Sequence, residues 1–132
     1  MKYLKNPKLE IKLISGTNNV EVNAQVDVSL DKEQEKLVKL IGLKFKLKCK
    51  LRADDEGFNG PDDDLLWLPP KGHSGVITAD GNYKFAATLS RDKLDEDWEG
   101  NDEIYARFIL QAISGLFPFV RKTNSPVVTG NF

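Results

Sequence analysis

The chain has 132 residues, of which 40% are hydrophobic and 30% charged, and a formal net charge of −1 at pH 7. This composition excludes a disordered chain, which combines low hydrophobicity with high net charge, and it argues against a generally basic nucleic-acid binder. The length predicts one globular domain over residues 1–132. Because the near-zero net charge conceals separate acidic and basic blocks, we expect those blocks to carry the function.

The single cysteine, Cys49, excludes an internal disulfide and a cysteine-based metal site within the chain. It lies in an alternating apolar run, so we expect it in the core. The amino terminus reads M-K-Y-L-K-N-P-K and lacks the apolar region of a signal peptide, and no stretch approaches about 18 consecutive apolar residues. We therefore predict a cytoplasmic protein that is not transmembrane, although a secreted form whose signal had been cleaved would read the same.

Alternation of apolar and polar residues predicts the strands of the first half. Residues 9–13 are expected to form a strand that ends in a hairpin, and residues 20–30 give the clearest strand in the sequence. Residues 31–40 fit either a single helical turn or a long hairpin end. From Leu43 to Arg52 the alternation resumes, and every outward position of this segment is basic.

Shorter segments follow in the second half. Residues 65–68 are an apolar run, and residues 69–75, P-P-K-G-H-S-G, are predicted to be a loop because two prolines remove ladder donors. Residues 76–79 and 83–89 are predicted to form a hairpin, and residues 104–112 a further strand.

Near the carboxyl end, Leu116 to Val120 is predicted to be an edge strand or a bulge because it contains Pro118. The tail at residues 123–132 is either loose or carries a final strand from Val127 to Thr129. About seven to eight strands with almost no helical periodicity predict an all-β fold. The expected architecture is an antiparallel sandwich, with a small barrel as the alternative.

Two acidic loops are predicted, at Asp54 to Asp64 and at Leu94 to Tyr105. Like charges placed so closely repel one another unless solvent or a cation neutralises them. Calcium suits such loops because it takes six to eight oxygen ligands in irregular geometry. The spacing excludes the twelve-residue helical calcium loop. Alternatively, the carboxylates cap strand ends and keep the loops soluble.

Residues 95–104, D-E-D-W-E-G-N-D-E-I, resemble the D-x-D-x-x-x-x-D-[DE] calcium loop of the phospholipid-binding β-sandwich modules found in synaptotagmins and conventional protein kinase C. The resemblance implies an eight-stranded sandwich in which a second Asp-bearing loop faces this one. It also implies calcium as the cofactor. The implied ligands are Asp95, Asp97 and Asp102, with Asp54 or Asp55 and Asp62 from the other loop.

The basic row is the second candidate site. It comprises Lys44, Lys46, Lys48, Lys50 and Arg52. Alternate residues of a strand lie about 6.6–6.8 Å apart, a spacing suited to phosphate groups, and in the resembled family a lysine-rich strand binds anionic lipid headgroups. As alternatives, the row pairs across a sheet with the polar row from Glu21 to Asp27, or it guards an edge strand against aggregation. Nucleic acid is disfavoured because no aromatic residue is interleaved on the basic face to stack a base.

Catalysis has little support in the sequence. His73 is the only histidine, and its setting predicts an exposed loop residue. Carboxylate pairs, with Trp67 or Trp98 to stack a sugar, leave a carbohydrate-active enzyme as the third option. The sequence favours a non-catalytic binding or interaction module that binds calcium through its acidic loops and has an anionic lipid surface, a protein partner or a second copy as its partner. The alternative is a structural or assembly subunit of a phage or secretion-type particle, without metal.

Overall fold

A computed structural model of the chain describes residues 3–53, 63–91, 102–113 and 119–130. The elements in chain order are β1 (Leu4–Leu13), β2 (Asn19–Val28), α1 (Lys32–Ile41), β3 (Phe45–Ala53), β4 (Asp63–Leu68), β5 (Pro70–Lys71), β6 (Val76–Ile77), β7 (Gly81–Ser90), β8 (Asp102–Ala112), β9 (Val120–Asn124) and β10 (Val128–Gly130). The all-β prediction is confirmed. The described residues form ten strands rather than seven to eight, and β5 and β6 contain two residues each.

The strands form two antiparallel sheets. Sheet A has the order β1-β2-β7-β5, and sheet B has the order β10-β8-β3-β4, with β6 pairing with β3 and β9 with β8. The main pairs join segments far apart in the chain: β2 pairs with β7, and β3 with β8. This arrangement confirms the predicted antiparallel sandwich.

The core lies between the inward faces of the two sheets. Sheet A contributes the alternating apolar residues of β2, which are at most 2% exposed: Val20, Val22, Ala24, Val26 and Val28. Sheet B contributes the matching residues of β3, among which Cys49 is fully buried as expected. Phe85 of β7 and Phe108 of β8 add the largest side chains, with ring centroids 6.2 Å apart. Period-two alternation therefore buries one face of each sheet and exposes the other.

Helix α1 connects sheet A to sheet B and replaces the predicted single turn or hairpin end. It begins at a capping box in which the Asp31 carboxylate accepts from the Gln34 backbone N–H (2.8 Å) and the Gln34 side chain accepts from the Asp31 N–H (3.2 Å). It ends at Gly42, whose φ of 68° is the left-handed conformation that glycine tolerates best. Leu37 and Val38 pack against the core. Within the described ranges, no helix has the length and apolar character needed to cross a bilayer.

The predicted hairpin over residues 76–79 and 83–89 is wrong. Val76 of β6 pairs with Lys46 of β3 in sheet B, whereas β7 pairs with β2 in sheet A. The chain therefore crosses between the sheets at residues 78–80 instead of turning back on itself. Local turn signals at Asp80 and Gly81 could not distinguish these two outcomes.

The loop prediction for residues 69–75 is also partly wrong, because Pro70 and Lys71 form β5 beside β7. Proline cannot donate, yet its carbonyl can still accept, and the Ala86 N–H donates to the Pro69 carbonyl (3.2 Å). Since β5 is the last strand in the order of sheet A, a missing donor is tolerated there.

The carboxyl-terminal tail carries two strands and is not loose within the described residues. Strand β9 begins at Val120, where the predicted strand ends, and residues 114–118 lie outside the described part of the chain. Ser125 is buried, and its hydroxyl accepts from the Ala106 N–H (2.9 Å). Val128 of β10 then pairs with Ile104 of β8. The final-strand alternative is therefore correct.

A β-bulge interrupts β1. The register with β2 shifts between Lys5 and Lys8, and Asn6 has a φ of 52°. The Asn6 side-chain amide donates to Asp27 Oδ2 (2.9 Å), and the Asn82 amide donates to Asp27 Oδ1 (2.8 Å). These two hydrogen bonds, from Asn6 first, lower the pKa of the Asp27 carboxyl. Asp27 thus links the first three strands of sheet A.

Candidate anion-binding face on sheet B

The basic side chains of β3 lie on the outer face of sheet B, as predicted. The alternate residues Phe45, Leu47, Cys49 and Leu51 are at most 1% exposed. Burial of that row forces the intervening side chains outward, so that Lys46 is exposed and the next three cations are half-buried: Lys48, Lys50 and Arg52. Lys44 precedes the strand and is exposed.

Both structural alternatives for this row are wrong. Strand β3 is not an edge strand, because β8 pairs along one side of it and β4 and β6 pair along the other. The polar row from Glu21 to Asp27 belongs to β2 in sheet A and points to the opposite outer face of the sandwich. The cations of β3 therefore neither protect an edge nor pair with that row.

Neighbouring strands extend the row into a two-dimensional array. Arg107 of β8 is the cross-strand neighbour of Lys50, and its guanidinium Nε donates to the Asn124 side chain (3.0 Å). Ile109 of β8 lies between Lys48 and Lys122, because it pairs with β3 on one side and with β9 on the other. Lys122 is exposed. Six cations of three adjacent strands thus share one face.

Two aromatic residues lie among these cations. Trp67 of β4 pairs with Lys50, and its side chain is 52% exposed. The ammonium groups of Lys48 and Lys50 each lie 5.2 Å from the indole centroid, within cation–π range. The expectation of no aromatic residue on the basic face is therefore wrong, because the aromatic comes from the adjacent strand and not from β3 itself.

The second aromatic residue, Tyr105, is only 5% exposed, so unlike Trp67 it offers no open ring surface. The guanidinium carbons of Arg52 and Arg107 each lie 6.0 Å from its ring centroid, and Arg52 Nη1 donates to its hydroxyl oxygen (3.2 Å). A buried phenol ring thus supports two guanidinium groups at the surface. We call this surface the basic-aromatic face, and it comprises Lys46, Lys48, Lys50, Arg52, Trp67, Tyr105, Arg107 and Lys122.

The outer face of sheet A carries both signs of charge, and the outer face of sheet B also carries an exposed carboxylate, Glu103 of β8. Lys12 Nζ lies 3.0 Å from a Glu10 carboxylate oxygen, and this ion pair with its hydrogen bond raises the pKa of Lys12. A groove of about 660 Å³ on this side is lined by Lys8, Lys71 and Lys84, with Glu10 among them. On the basic-aromatic face of sheet B, Lys50 and Arg52 make further interactions in addition to their contacts with Trp67 and Tyr105.

The predicted calcium ligands Asp54, Asp55, Asp62, Asp95 and Asp97 lie outside the described residues, as does the side chain of Asp102. The strand ends that flank the two acidic segments are described. Ala53, the last residue of β3, pairs with Asp63 of β4 and with Ile104 of β8. Three of the four flanking strands, β3, β4 and β8, therefore meet at one end of sheet B, whereas β7, which precedes the second segment, belongs to sheet A. Among the described residues, no three potential metal-binding side chains cluster.

His73 is half-buried, whereas the sequence predicted an exposed loop residue. Its ring contacts neighbouring backbone and aromatic groups. Its Nδ1 accepts from the Gly75 N–H (3.0 Å), so the ring proton is on Nε2, which donates to the Lys84 carbonyl (2.7 Å). The ring also makes edge-on contacts with Tyr83 and Phe85. Both ring nitrogens are thus engaged by the backbone.

The chain matches no protein-family model, no curated protein and no solved structure. The resemblance of residues 95–104 to a calcium loop stays a prediction. The candidate site is therefore argued from the geometry of the chain's own residues.

Proposed function

We propose that this protein is a non-catalytic binding module that holds a phosphate-bearing polyanion on the basic-aromatic face. The observation that carries the proposal is the array of cations on adjacent central strands, which burial of the opposite row holds in place. The strands fix the Cα spacing of the array without a ligand, so binding orders the cationic side chains but no backbone.

The electrostatic cost of the array supports this proposal. Alternate Cα atoms of a strand lie about 6.6–6.8 Å apart, so the like charges on the outer face of β3 are close enough to repel one another. Lysine is also depleted in strands generally. A polyanion bound across the row would reduce this repulsion.

Titration with inorganic polyphosphate at several salt concentrations tests the proposal. We expect binding that weakens as salt is added, because screening acts on exposed charges. The double substitution Lys46→Glu with Lys122→Glu should weaken it and reduce its salt dependence. The matched control, Lys8→Glu with Lys84→Glu, makes the same change in net charge on sheet A and should preserve binding. Absence of binding to the wild-type protein at low salt would refute the function.

Calcium binding by the acidic segments is the second candidate, favoured by the pairing of Ala53 with both β4 and β8, the strands that follow the two segments. Occupancy of such a site would stabilise the native state by linkage, so millimolar calcium should raise Tm. Asp97→Asn with Asp102→Asn should remove the rise without lowering Tm in chelator. An unchanged wild-type Tm across the titration would eliminate this candidate.

A further inference from the structure

We propose that the polyanion is single-stranded nucleic acid, with a base stacked on Trp67 and the adjoining phosphates on the lysines beside it. The inference rests on the proposed function and specifies the ligand of the same face. It is carried by an observation that a generic polyanion site does not need, namely an exposed indole within the cation array.

The surroundings of Trp67 match the chemistry of a nucleotide. Each nucleotide presents an apolar π face and one negatively charged phosphate. The half-exposed indole offers the surface on which a base stacks. The ammonium groups of Lys48 and Lys50 lie over this ring, 5.2 Å from its centroid, and a stacking base would displace them toward the flanking phosphates. Aromatic platforms combined with a basic surface characterise single-strand binding without sequence preference.

The second aromatic residue strengthens the match by holding two arginines. Tyr105 is buried under the guanidinium groups of Arg52 and Arg107, and its hydroxyl accepts a hydrogen bond from Arg52. A guanidinium plane either stacks on a base or binds phosphate through two parallel hydrogen bonds. Tyr105 therefore acts as a positioning residue for the two arginines. The bound nucleic-acid strand would run from Trp67 across Lys50 to Arg107, which are neighbours in the register of the sheet.

A duplex fits this face poorly. Strands β4, β3, β8 and β9 lie side by side, so their axes span about 14 Å before side chains are added. The major groove of DNA is about 12 Å wide and admits a helix or a two-stranded ribbon. A broad sheet face instead suits an unpaired strand laid across it, whose bases are free to stack.

An anionic membrane is also less well matched. Trp67 lies on β4, the last strand in the order of sheet B, and pairs directly with Lys50. The ammonium groups of Lys48 and Lys50 lie over its ring, so the indole is held among the charged groups. An indole that anchors a protein in a bilayer must reach past the charged groups into the interfacial region. The face could thus contact charged lipid headgroups, but the Trp67 indole does not project far enough to insert into the bilayer interface.

The test uses the full chain with Trp98→Phe, which leaves Trp67 as the only tryptophan. Oligothymidylate of about 16 nucleotides, the upper site size of one small β-barrel module, is added at several salt concentrations. We expect quenching of Trp67 fluorescence by stacking. With four phosphates neutralised, the slope of log K against log salt should be about −2.8.

Variants separate stacking from charge. Trp67→Ala should weaken binding by about 5- to 150-fold, and Trp67→Phe should recover most of that loss. Lys46→Glu with Lys122→Glu should reduce the magnitude of the salt slope by about 1.4. The control pair Lys8→Glu with Lys84→Glu should change neither the slope nor the quenching. Because Trp67 is half-exposed, its truncation leaves the core intact, and an unchanged Tm would confirm this.

Two further ligands distinguish the outcomes. Tighter binding to a duplex of equal length, or binding to phosphatidylserine vesicles or polyphosphate but not to oligothymidylate, would overturn the single-strand inference and leave the proposed function standing. Oligothymidylate binding without Trp67 quenching would also overturn it. Failure of every polyanion to bind at low salt would overturn both.

Discussion

The substitution His73→Ala tests whether the chain's only histidine serves the fold. Its ring connects the two sheets: Nε2 donates to Lys84 of β7 in sheet A, while Nδ1 accepts from Gly75, whose carbonyl in turn accepts from the Leu47 N–H of β3 in sheet B (2.8 Å). Gly75 is buried at a φ of 86°, so few other conformations can keep this connection.

The expected loss follows from these contacts. Two hydrogen bonds contribute about 0.5–1.5 kcal/mol each. The edge-on contacts with Tyr83 and Phe85, at centroid distances of 5.2 and 5.1 Å, add a similar amount in total. We therefore expect His73→Ala to lower the free energy of unfolding by about 2–4 kcal/mol, which corresponds to a fall in Tm of roughly 8–16 °C for a domain of this size.

Urea denaturation followed by circular dichroism measures this change. Ser74→Ala is the matched control, because Ser74 makes one long contact with the Val76 N–H (3.3 Å) and should cost no more than about 0.5 kcal/mol. If His73→Ala were as stable as that control, the link between the sheets would not stabilise the fold, and a chemical role for the histidine would regain support.

Three other predictions concern the framework. Burial raises the pKa of the Cys49 thiol, so Cys49 should resist an aromatic disulfide reagent in the native state and react once urea unfolds the chain. The pKa of Asp27 in the folded protein is lower than its usual value of 3.8. The ionised carboxylate therefore stabilises the folded state fully at pH values above 3.8, and this contribution is lost as the pH falls through the folded pKa. Asn82→Ala should therefore destabilise by about 0.5–1 kcal/mol at pH 7, and unfolding titrations should show a smaller difference near pH 3. Asp31→Ala removes the capping box with Gln34 and should cost about 1–2 kcal/mol in urea denaturation; equal stability would show that α1 is held by packing alone.

The alternation of apolar and polar residues predicted the strands because this period of two arises within a single strand and needs no knowledge of its partners. The alternation from Phe45 to Ala53 gave both the buried row and the outward cations. Register is different, since it depends on partners far away in sequence. Trp67 reaches the basic-aromatic face because Leu68 pairs with Cys49, and a slip of one residue would turn the indole into the core.

Other features escaped prediction for the same reason. Val76 and Ile77 join β3, some thirty residues earlier, rather than the strand that follows them. His73 is engaged by residues of β7, which a reading of the loop alone does not reveal. The run from Leu65 to Leu68 did contain the relevant signal, a tryptophan in a short strand next to a basic one. The calcium ligands stay a prediction.

The bulge in β1 bears on whether copies of this protein can add to one another through the edge of sheet A. Strand β1 ends the order of sheet A, and such an edge is a template on which further chains can add and grow into fibres. Pro7 has no N–H to offer, and the register shift between Lys5 and Lys8 breaks the ladder at that point. An incoming strand would meet an interrupted row of donors and acceptors, so the addition of another chain along this edge is disfavoured.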